Sequence, residues 1–413
     1  MTSVDDKPRN LRTMISEAKD SCELMIDLAY ASVYFGDPQM ADEVDELEDR
    51  LNDLVHDMRA VCVLAARSPR DADSMASVLK VISSIERMGH AAVDISGIVS
   101  HRVGIPRELV VDLSEAEEVS HRVSLREGSH FAHRLLSDFE LPVAVGMRVV
   151  AIHRGRDWIT DVGGDEVLLP GDVLFLHGAP AGISRLHQLA GAPSWEPPAP
   201  PEERSASDLD RAVDVLVEMK NISTTCVGLA WSALVLRDAG LAAEVNHLED
   251  RLDEMKERLE TWVLRSAPAA VDPSSLRGLL HLAQAAEDLG DSAQQMVWLI
   301  ENSEEVHPVL SLALGDADEV LVRLPVGAGS RVEGVSLAQL HLDIDPGFHV
   351  LAIRRGGRYV YRPRGAEVLR ADDEVIASGP GEGERMLAEL CGWLLVDDAE
   401  TGEDVLVPVG NTR

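Results

Sequence analysis

The sequence reads Glu43-Val-Asp-Glu-Leu-Glu-Asp-Arg-Leu51, and 201 residues later it reads Glu244-Val-Asn-His-Leu-Glu-Asp-Arg-Leu252. The same offset aligns Arg154-Gly155 with Arg355-Gly356, in a region whose pattern is typical of strands rather than helices. A fixed offset that holds through both kinds of pattern indicates repetition, because every intervening length must also have been kept. The chain is therefore a tandem duplication of a two-part unit.

The first part of each copy has the periodicity of amphipathic helices. Apolar residues recur at steps of three and four over residues 44–62 and again over 245–262, as they do along one face of a helix. Breaks at Gly36-Asp37-Pro38 and Ser68-Pro69 divide the first copy into three helices. Two copies predict a six-helix array. The residues predicted to lie in its core include Leu47, Leu51, Leu248 and Leu252.

The second part of each copy predicts a small domain of mixed strands and helices. Short β-rich runs are separated by Gly and Pro turns. The runs are Glu118–Leu125, Arg148–His153 and Val173–Leu176 in the first copy, and Glu319–Leu324, Val350–Arg354 and Glu374–Ala377 in the second. Two short helices are expected near Ala132–Asp138 and Ile183–Leu189. Because the pattern occurs twice, we expect the two mixed domains to pack on each other about a pseudo-twofold axis.

The domain boundaries follow from these changes of pattern and from composition. A Pro-rich, polar stretch separates the copies and predicts a semi-extended linker. The predicted segments are a helical repeat at 8–105, a mixed domain at 108–190, the linker at 191–207, a second helical repeat at 208–306, a second mixed domain at 309–395 and a tail at 396–413.

The composition is strongly acidic, with 72 Asp and Glu against 38 Lys and Arg and a net charge of −34. Such a field repels phosphates, which argues against a nucleic acid polymer or an anionic membrane surface as a generic partner. Only five of the basic residues are Lys. High acid content with so little Lys predicts a halophilic protein in a salt-filled cytoplasm, where repulsion between charges is screened.

The cysteines and the missing motifs restrict the function further. Cys22, Cys62, Cys226 and Cys391 are far apart and form no CxxC pair, so we expect reduced thiols in the cytoplasm. The N-terminal residues carry no apolar signal-peptide core, and no run is apolar enough to insert into a bilayer. No nucleophile, zinc-protease or P-loop motif is found, which favours a protein that is not an enzyme.

The helical half resembles the PhoU family of phosphate-transport regulators. The resemblance is carried by the 43–48 stretch followed by Glu86-Arg-Met-Gly-His90, and in the second copy by Glu287-Asp-Leu-Gly-Asp291. It implies tandem three-helix repeats in which carboxylates bind metal, since Glu and Asp oxygens suit hard cations and imidazole suits iron or zinc. The candidate metal ligands are Glu86, His90, Glu287 and Asp291. The alternative is that these residues are ordinary solvated charges of an acidic helix face.

The mixed half resembles the C-terminal domain of RCK/TrkA potassium-transport regulators. The residues that carry this resemblance are Gly128-Ser129, Val149–Gly155 and Pro170-Gly-Asp172, with Gly329-Ser330 and Val350–Gly356 in the second copy. The predicted fold class is therefore α+β, with two PhoU-like three-helix repeats and two small RCK C-terminal-like α/β sandwich domains. The family's nucleotide-binding Rossmann domain is missing, because no GxGxxG motif follows a strand.

The resemblance implies a small ligand bound where two such domains pair, with cyclic di-AMP as the first candidate. The other candidate cofactor is the divalent metal that the PhoU-like half implies. Guanidinium groups bind phosphate well, and arginines kept in both copies of an acidic chain are the natural contacts. The alternative for each arginine is a local salt bridge. The candidate ligand-binding residues are Arg122, Gly128, Ser129, Arg154, Arg323, Gly329, Ser330 and Arg355.

Two functions follow from these resemblances. The first is a regulatory subunit of cation transport, chiefly of potassium, that acts on a separate membrane transporter or channel and forms a homo-oligomer. The second is a PhoU-type adaptor in phosphate transport or signalling that binds metal through its helical carboxylates.

Overall fold

The computed structural model describes residues 10–106, 109, 118–155, 157–160, 162–195, 207–269, 276–302, 307–314, 319–397 and 404–409. Parts of the predicted linker (191–207) and of the predicted tail (396–413) lie outside these residues, as do most of residues 108–117. The chain forms two compact units. The helical unit joins Met1–Asp112 to Ala206–Asp318, and the mixed unit joins Leu113–Ser205 to Glu319–Arg413. Each unit therefore contains one part from each copy.

The helical unit has three long helices from each copy and a short seventh helix within its described residues. The helices are Leu11–Phe35, Pro38–Ala65 and Pro69–Ser100 in the first copy, Asp208–Leu236, Ala239–Ser266 and Leu276–Glu301 in the second, and Pro308–Leu314. None of the described helices combines the length and the apolarity that a bilayer span requires.

Local capping explains where the second helix of each copy begins. The Asp37 carboxylate accepts hydrogen bonds from the backbone N–H groups of Gln39 and Met40, and Pro38 occupies the first helical position. Asp238, the equivalent residue of the second copy, accepts the same two bonds from the backbone that follows it. A carboxylate cap of this kind satisfies N–H groups that the helix itself leaves without partners.

The predicted apolar stripes form the core of this unit. Leu47, Leu51, Leu248 and Leu252 are at most 4% exposed, which confirms the prediction from helical spacing. Gly89 and Gly290, in the third helices, lie against two of these leucines. A methyl group on Gly89 would stand 2.7 Å from Leu51 Cδ2, so the glycine allows the second and third helices to approach closely.

Four of the five lysines lie in the described part of the chain, and each has a structural role. Lys19 and Lys220, at equivalent positions of the two first helices, are both buried. Lys19 Nζ lies 2.7 Å from Glu23 Oε2, and Lys220 Nζ faces the ring of Tyr30. The remaining two are Lys80, over the ring of Trp298, and Lys256, paired with Glu287. In this chain lysine is kept chiefly at packed positions.

The mixed unit contains two four-stranded antiparallel sheets with the same strand order. The first copy contributes β1 (Val119–Ser124), β2 (Arg134–Leu135), β3 (Met147–Arg154), β4 (Asp157–Ile159), β5 (Val167–Leu168) and β6 (Val173–Gly178). The second contributes β7 (Glu319–Pro325), β8 (His349–Arg355), β9 (Arg358–Tyr361) and β10 (Glu374–Pro380). The sheets run β1-β6-β3-β4 and β7-β10-β8-β9. Short helices follow the last strand of each sheet at Ile183–Ala190 and Glu384–Leu390, the first of which was predicted.

A β-bulge shows how closely the two sheets correspond. In the first sheet, Val149 and Ala151 of β3 pair with the adjacent residues Leu176 and Phe175 of β6, so β3 carries one extra residue. In the second sheet, Val350 and Ala352 of β8 pair with the adjacent residues Ala377 and Ile376 of β10, so β8 carries one extra residue. The two irregularities are 201 residues apart and therefore occur at equivalent positions of the two copies. The bulge is therefore a regular feature of this domain and not a local defect, as is common for β-bulges.

The helix predicted near Ala132–Asp138 is wrong. The backbone N–H groups of His133, Leu136 and Ser137 donate to carbonyl groups of residues 164–168, so they are not available to a helix. The segment instead forms strand β2 and a single 3-10 turn at Leu136–Asp138. The carbonyl groups of residues 164–168 are distant in sequence from this segment, so local periodicity could not predict the pairing.

The C-terminal part of the mixed unit contains a hairpin that the sequence did not predict. Strand β11 (Trp393–Asp397), which begins inside the predicted domain, pairs in an antiparallel manner with β12 (Asp404–Pro408), which lies in the segment read as a tail. Trp393, Leu395 and Leu406 pack against the core of the second sheet. The hairpin therefore extends the second mixed domain.

Candidate functional site

The candidate metal residues of the first helical copy each have a polar side-chain partner within the unit. Glu86 accepts two hydrogen bonds from the guanidinium group of Arg59, which lies on the neighbouring helix. His90 Nε2 lies 3.3 Å from Glu48 Oε1. The Glu86 carboxylate is thus neutralised by a side chain of the same unit.

The second copy achieves the same neutralisation with a different residue. Lys256 Nζ lies 2.7 Å from Glu287 Oε2. The duplication offset places Val55 opposite Lys256 and Glu260 opposite Arg59, so the cation comes from another turn of the helix in each copy. In both copies the Glu carboxylate at this position therefore has a cationic partner, which a different residue supplies.

Asp291 faces Glu249, as His90 faces Glu48 in the first copy. The pKa of Glu249 is raised to about 7, first because burial disfavours the charged form and then because Asp291, Asp253 and Asp250 are negative neighbours. Glu249 also accepts a hydrogen bond from Gln294 Nε2. The pKa of Glu48 is raised as well, mainly by burial, while His90 opposes the rise.

These contacts bear on the metal hypothesis. Among the described residues, no three His, Cys, Asp or Glu side chains are arranged to hold a metal ion. A metal at Glu86 or Glu287 would have to replace the cation that each carboxylate already has. Glu86 and Glu287 have cationic partners within the unit, His90 lies beside Glu48, and Asp291 lies beside the carboxylate of Glu249; metal binding stays a prediction.

Arg154 is the centre of a polar network at the end of strand β3. Its Nε and Nη2 atoms donate to the two oxygens of Asp172 at 2.9 and 2.8 Å, and its Nη1 donates to Glu166 at 2.8 Å. Nη2 also donates to the carbonyl oxygen of Val167. Asp172 is 1% exposed and accepts a further bond from the backbone N–H of Leu169. A buried carboxylate needs this degree of pairing to remain charged.

The second copy repeats the network atom for atom. Arg355 donates to both oxygens of Asp373, to Glu367 and to the carbonyl oxygen of Val368. Burial opposes the charged form of Asp373, but the bonds from Arg355 and from the backbone N–H of Arg370 outweigh it, so the pKa of Asp373 lies below its ordinary value. The same bonds raise the pKa of Arg355. The network joins the end of one central strand to the turn that starts the next.

The other candidate residues lie at turns and on the sheets. Ser129 Oγ accepts from the backbone N–H of Phe131 and contacts the carbonyl group of Leu189, and the second copy holds Ser330 beside Gly392. The glycines Gly128 and Gly329 have open space where a side chain would be. Arg122 on β1 and Arg323 on β7 lie opposite Phe175 and Ile376, which are equivalent positions.

The two mixed domains contact each other reciprocally. Gly146 lies so close to the carbonyl oxygen of Asp343 that a side chain would collide with it, and Gly347 lies equally close to the carbonyl oxygen of Pro142. The offset of 201 converts each contact into the other. Residue i of one domain touches residue j of its partner and j touches i, which is the signature of a twofold interface.

This interface confirms the predicted pairing but separates it from the arginine networks. Gly146 precedes β3, whereas Arg154 ends that strand. At about 3.3 Å per residue the two ends of β3 are roughly 20 Å apart. Arg154 and Arg355 therefore lie at the strand ends remote from the Gly146 and Gly347 contact, and their role as ligand contacts stays a prediction.

Comparison with known families identifies the parts. A PhoU domain model matches residues 15–99 and 216–299, and a TrkA-C domain model matches residues 121–191 and 321–392. The chain carries two PhoU domains and two TrkA-C domains. They alternate along the chain, which confirms the resemblances drawn from the sequence. PhoU and TrkA-C are regulatory domains rather than catalytic ones.

Solved structures with similarity to the chain include PhoU proteins and an RCK domain. PhoU from Pseudomonas aeruginosa is 13% identical, with a TM-score of 0.38 over 70% of this chain and 93% of that chain. PhoU from Streptococcus pneumoniae, a phosphate transport system regulatory protein, is 12% identical, with a TM-score of 0.37 over 71% and 94%. The GsuK RCK domain is 14% identical, with a TM-score of 0.18 over 77% and 78%. No curated protein matches the chain.

One polar cluster of the first TrkA-C domain was missed by the sequence reasoning. His121 Nε2 on β1 lies 2.8 Å from His187 Nε2 on the Ile183–Ala190 helix, and the ring of Trp195 packs edge-on against His121. The pKa of His121 is lowered to about 4 by burial first, and then by His187 and Arg122. The two histidines are 66 residues apart, so no spacing signal could have joined them.

Proposed function

We propose that the chain is a cytoplasmic regulatory subunit of potassium transport that acts on a separate membrane transporter or channel. The observation that carries the proposal is the reciprocal contact of the two TrkA-C domains through Gly146 and Gly347. It gives one chain an intramolecular pair of the domains from which potassium-transport regulators are built. We further propose that these chains assemble into a homo-oligomer.

The proposed input is a small anionic ligand bound by the TrkA-C pair, with cyclic di-AMP as the first candidate. Cyclic di-AMP should raise the melting temperature of the full chain in molar KCl, because a ligand that binds only the folded state stabilises it. Adenosine monophosphate at the same concentration is the control. Absence of any shift with cyclic di-AMP would remove this ligand.

A test of the candidate arginines must leave the hydrogen bonds of Asp172 and Asp373 intact. Replacing Arg154 or Arg355 would break the network around Asp172 or Asp373, so lost binding would not identify a ligand contact. Arg122→Gln and Arg323→Gln leave those networks intact. If either arginine contacts the ligand, its replacement should weaken binding by roughly tenfold, the effect of about 1.4 kcal/mol.

The alternative is a PhoU-type adaptor in phosphate transport or signalling, which the two PhoU matches favour. Deletion of the gene in its native host separates the two functions. The potassium proposal expects a changed rate of rubidium uptake, used as a potassium analogue, with unchanged phosphate uptake. A change confined to phosphate uptake would support the adaptor and contradict the potassium proposal.

A further inference from the structure

The first TrkA-C domain contains a pair of histidines that the second domain lacks. His121 and His187 correspond to Val322 and Ala388 under the duplication offset. The pair is therefore not required by the fold, because the second sheet is built without it. It lies where the chain leaves the first TrkA-C domain for the Pro-rich linker.

The hydrogen bonds of the pair fix which nitrogen carries each proton. His187 Nδ1 lies 2.7 Å from the carbonyl oxygen of Pro193, so this nitrogen must donate. With both rings neutral, Nε2 of His187 presents a lone pair toward His121, whose Nε2–H donates across the 2.8 Å gap. Metal-binding histidines characteristically donate their second nitrogen to a carbonyl or carboxylate in this way.

The two Nε2 atoms, which are held by their hydrogen bond, are also close enough for one metal to bind both at a right angle. Two metal–nitrogen bonds of about 2.0–2.1 Å that meet at 90° place the nitrogens about 2.9 Å apart, and a tetrahedral angle places them about 3.3 Å apart. The observed distance is 2.8 Å. Square-planar or tetragonal nitrogen coordination is typical of Cu²⁺ and Ni²⁺.

We propose that His121 and His187 form a two-histidine site for a divalent transition metal of this class. The metal replaces the hydrogen bond between the rings: the Nε2 proton of His121 moves to Nδ1 of the same ring, so no net proton is released, and both rings turn until their Nε2 lone pairs meet at the metal. Water completes the coordination, since no third His, Cys, Asp or Glu in the described part of the chain is positioned to join the pair.

The site has a structural consequence for the residues that follow the domain. His187 holds the carbonyl group of Pro193, and the His121 ring packs against Trp195 at 6.1 Å between ring centroids. A metal that fixes both imidazole rings therefore also fixes the start of the linker. The site is a metal-dependent anchor that only the first TrkA-C domain possesses.

The second copy supplies matched substitutions for the test. His121→Val and His187→Ala place at each position the residue found in the second domain, which folds with it. His130→Ala removes an exposed histidine of the same domain and serves as the control. Each full-length protein is titrated with CuCl₂ by calorimetry, and the bound copper is examined by electron paramagnetic resonance for coupling to nitrogen.

The wild type and His130→Ala should bind one Cu²⁺ with coupling to two nitrogens. His121→Val and His187→Ala should each weaken binding by more than about tenfold, because loss of even an outer partner of a metal ligand costs ~10–100-fold. MgCl₂ should produce no heat at this site, since Mg²⁺ prefers oxygen ligands. Unchanged copper affinity and spectrum in either substituted protein would overturn the proposal, as would a wild-type spectrum without two-nitrogen coupling.

Discussion

Gly146 and Gly347 occupy equivalent positions in the two TrkA-C domains, and each lies against the backbone of the other domain. Both have positive φ angles, of 64° and 84°, and neither leaves room for a side chain. The positive φ and the lack of room for a side chain each require glycine at this position, and both conditions hold in each copy. The pairing of the TrkA-C domains is built into a single chain.

Gly146→Ala should destabilise the mixed unit more than Gly155→Ala. Both glycines have nearly the same φ, 64° and 68°, so both substitutions pay about 1–2 kcal/mol for the left-handed backbone. Only Gly146 would also collide with Asp343, whereas Gly155 has no atom within 4 Å of an added Cβ. Chemical denaturation of both variants measures the difference. Equal losses would mean that the contact contributes nothing.

The Arg355–Asp373 pair predicts a dependence of stability on acid. Because the pKa of Asp373 is lower in the folded state, its contribution is present above the unfolded value of 3.8 and is lost as the pH falls through the lower folded value. Asp373→Asn should remove that dependence and cost about 1.5–3 kcal/mol at neutral pH, because it removes charge-assisted hydrogen bonds from Arg355 while Glu367 still pairs with the guanidinium group. The measurement is the free energy of unfolding between pH 2 and pH 7.

Asp372→Asn is the matched control for this experiment. Asp372 is exposed and has a φ of 67°, a conformation that Asn accepts readily. Its replacement should leave the acid dependence as it is in the wild type. If Asp372→Asn and Asp373→Asn behave alike, the buried pair is not the cause.

Glu249 predicts the opposite dependence in the helical unit. Its pKa of about 7 lies above the ordinary value of 4.5, so the charged carboxylate is penalised in the folded state and stability rises as the pH falls from about 7 to 4.5. Glu249→Gln should stabilise the helical unit at pH 8 and flatten this slope. Glu254→Gln, on an exposed turn of the same helix, should do neither. Thermal unfolding followed by circular dichroism provides the comparison.

Leu248→Ala should cost about 2–5 kcal/mol, the usual effect of removing a buried leucine side chain. Leu248 is 1% exposed, whereas Leu264 on the same helix is 70% exposed. Leu264→Ala is therefore expected to change the free energy of unfolding by less than about 0.5 kcal/mol. A small effect of Leu248→Ala would mean that the apolar stripe is not the core.

Features that depend on regular periodicity could be predicted from the sequence. The leucine stripe around Leu51 recurs at helical spacing, and the repeat offset made the same prediction for Leu252. The role of Gly89 could be explained only once Leu51 was seen against it. The sequence showed that the two copies share the same spacing, and the structure showed how the residues at that spacing pack.

Features that depend on partners distant in sequence could not be predicted. His133 donates its backbone N–H to Leu168, which replaced the expected helix with a strand pairing. Arg154 was read as a candidate ligand contact, with a salt bridge as the alternative, and no periodicity could tell that Asp172 would lie beside it. The two residues are eighteen positions apart, and the fold of the chain between them is what brings their side chains together.

The most direct measurement of the central claim is the initial rate of rubidium uptake in cells whose own gene is deleted. The cells are supplied with the wild-type protein, with Gly146→Ala or with the Gly155→Ala control, and phosphate uptake is measured in parallel. If paired TrkA-C domains regulate potassium transport, the wild type and the control should restore the normal rubidium rate, while Gly146→Ala should not, and phosphate uptake should be the same in all three. Full restoration by Gly146→Ala, or a defect confined to phosphate uptake, would contradict the account.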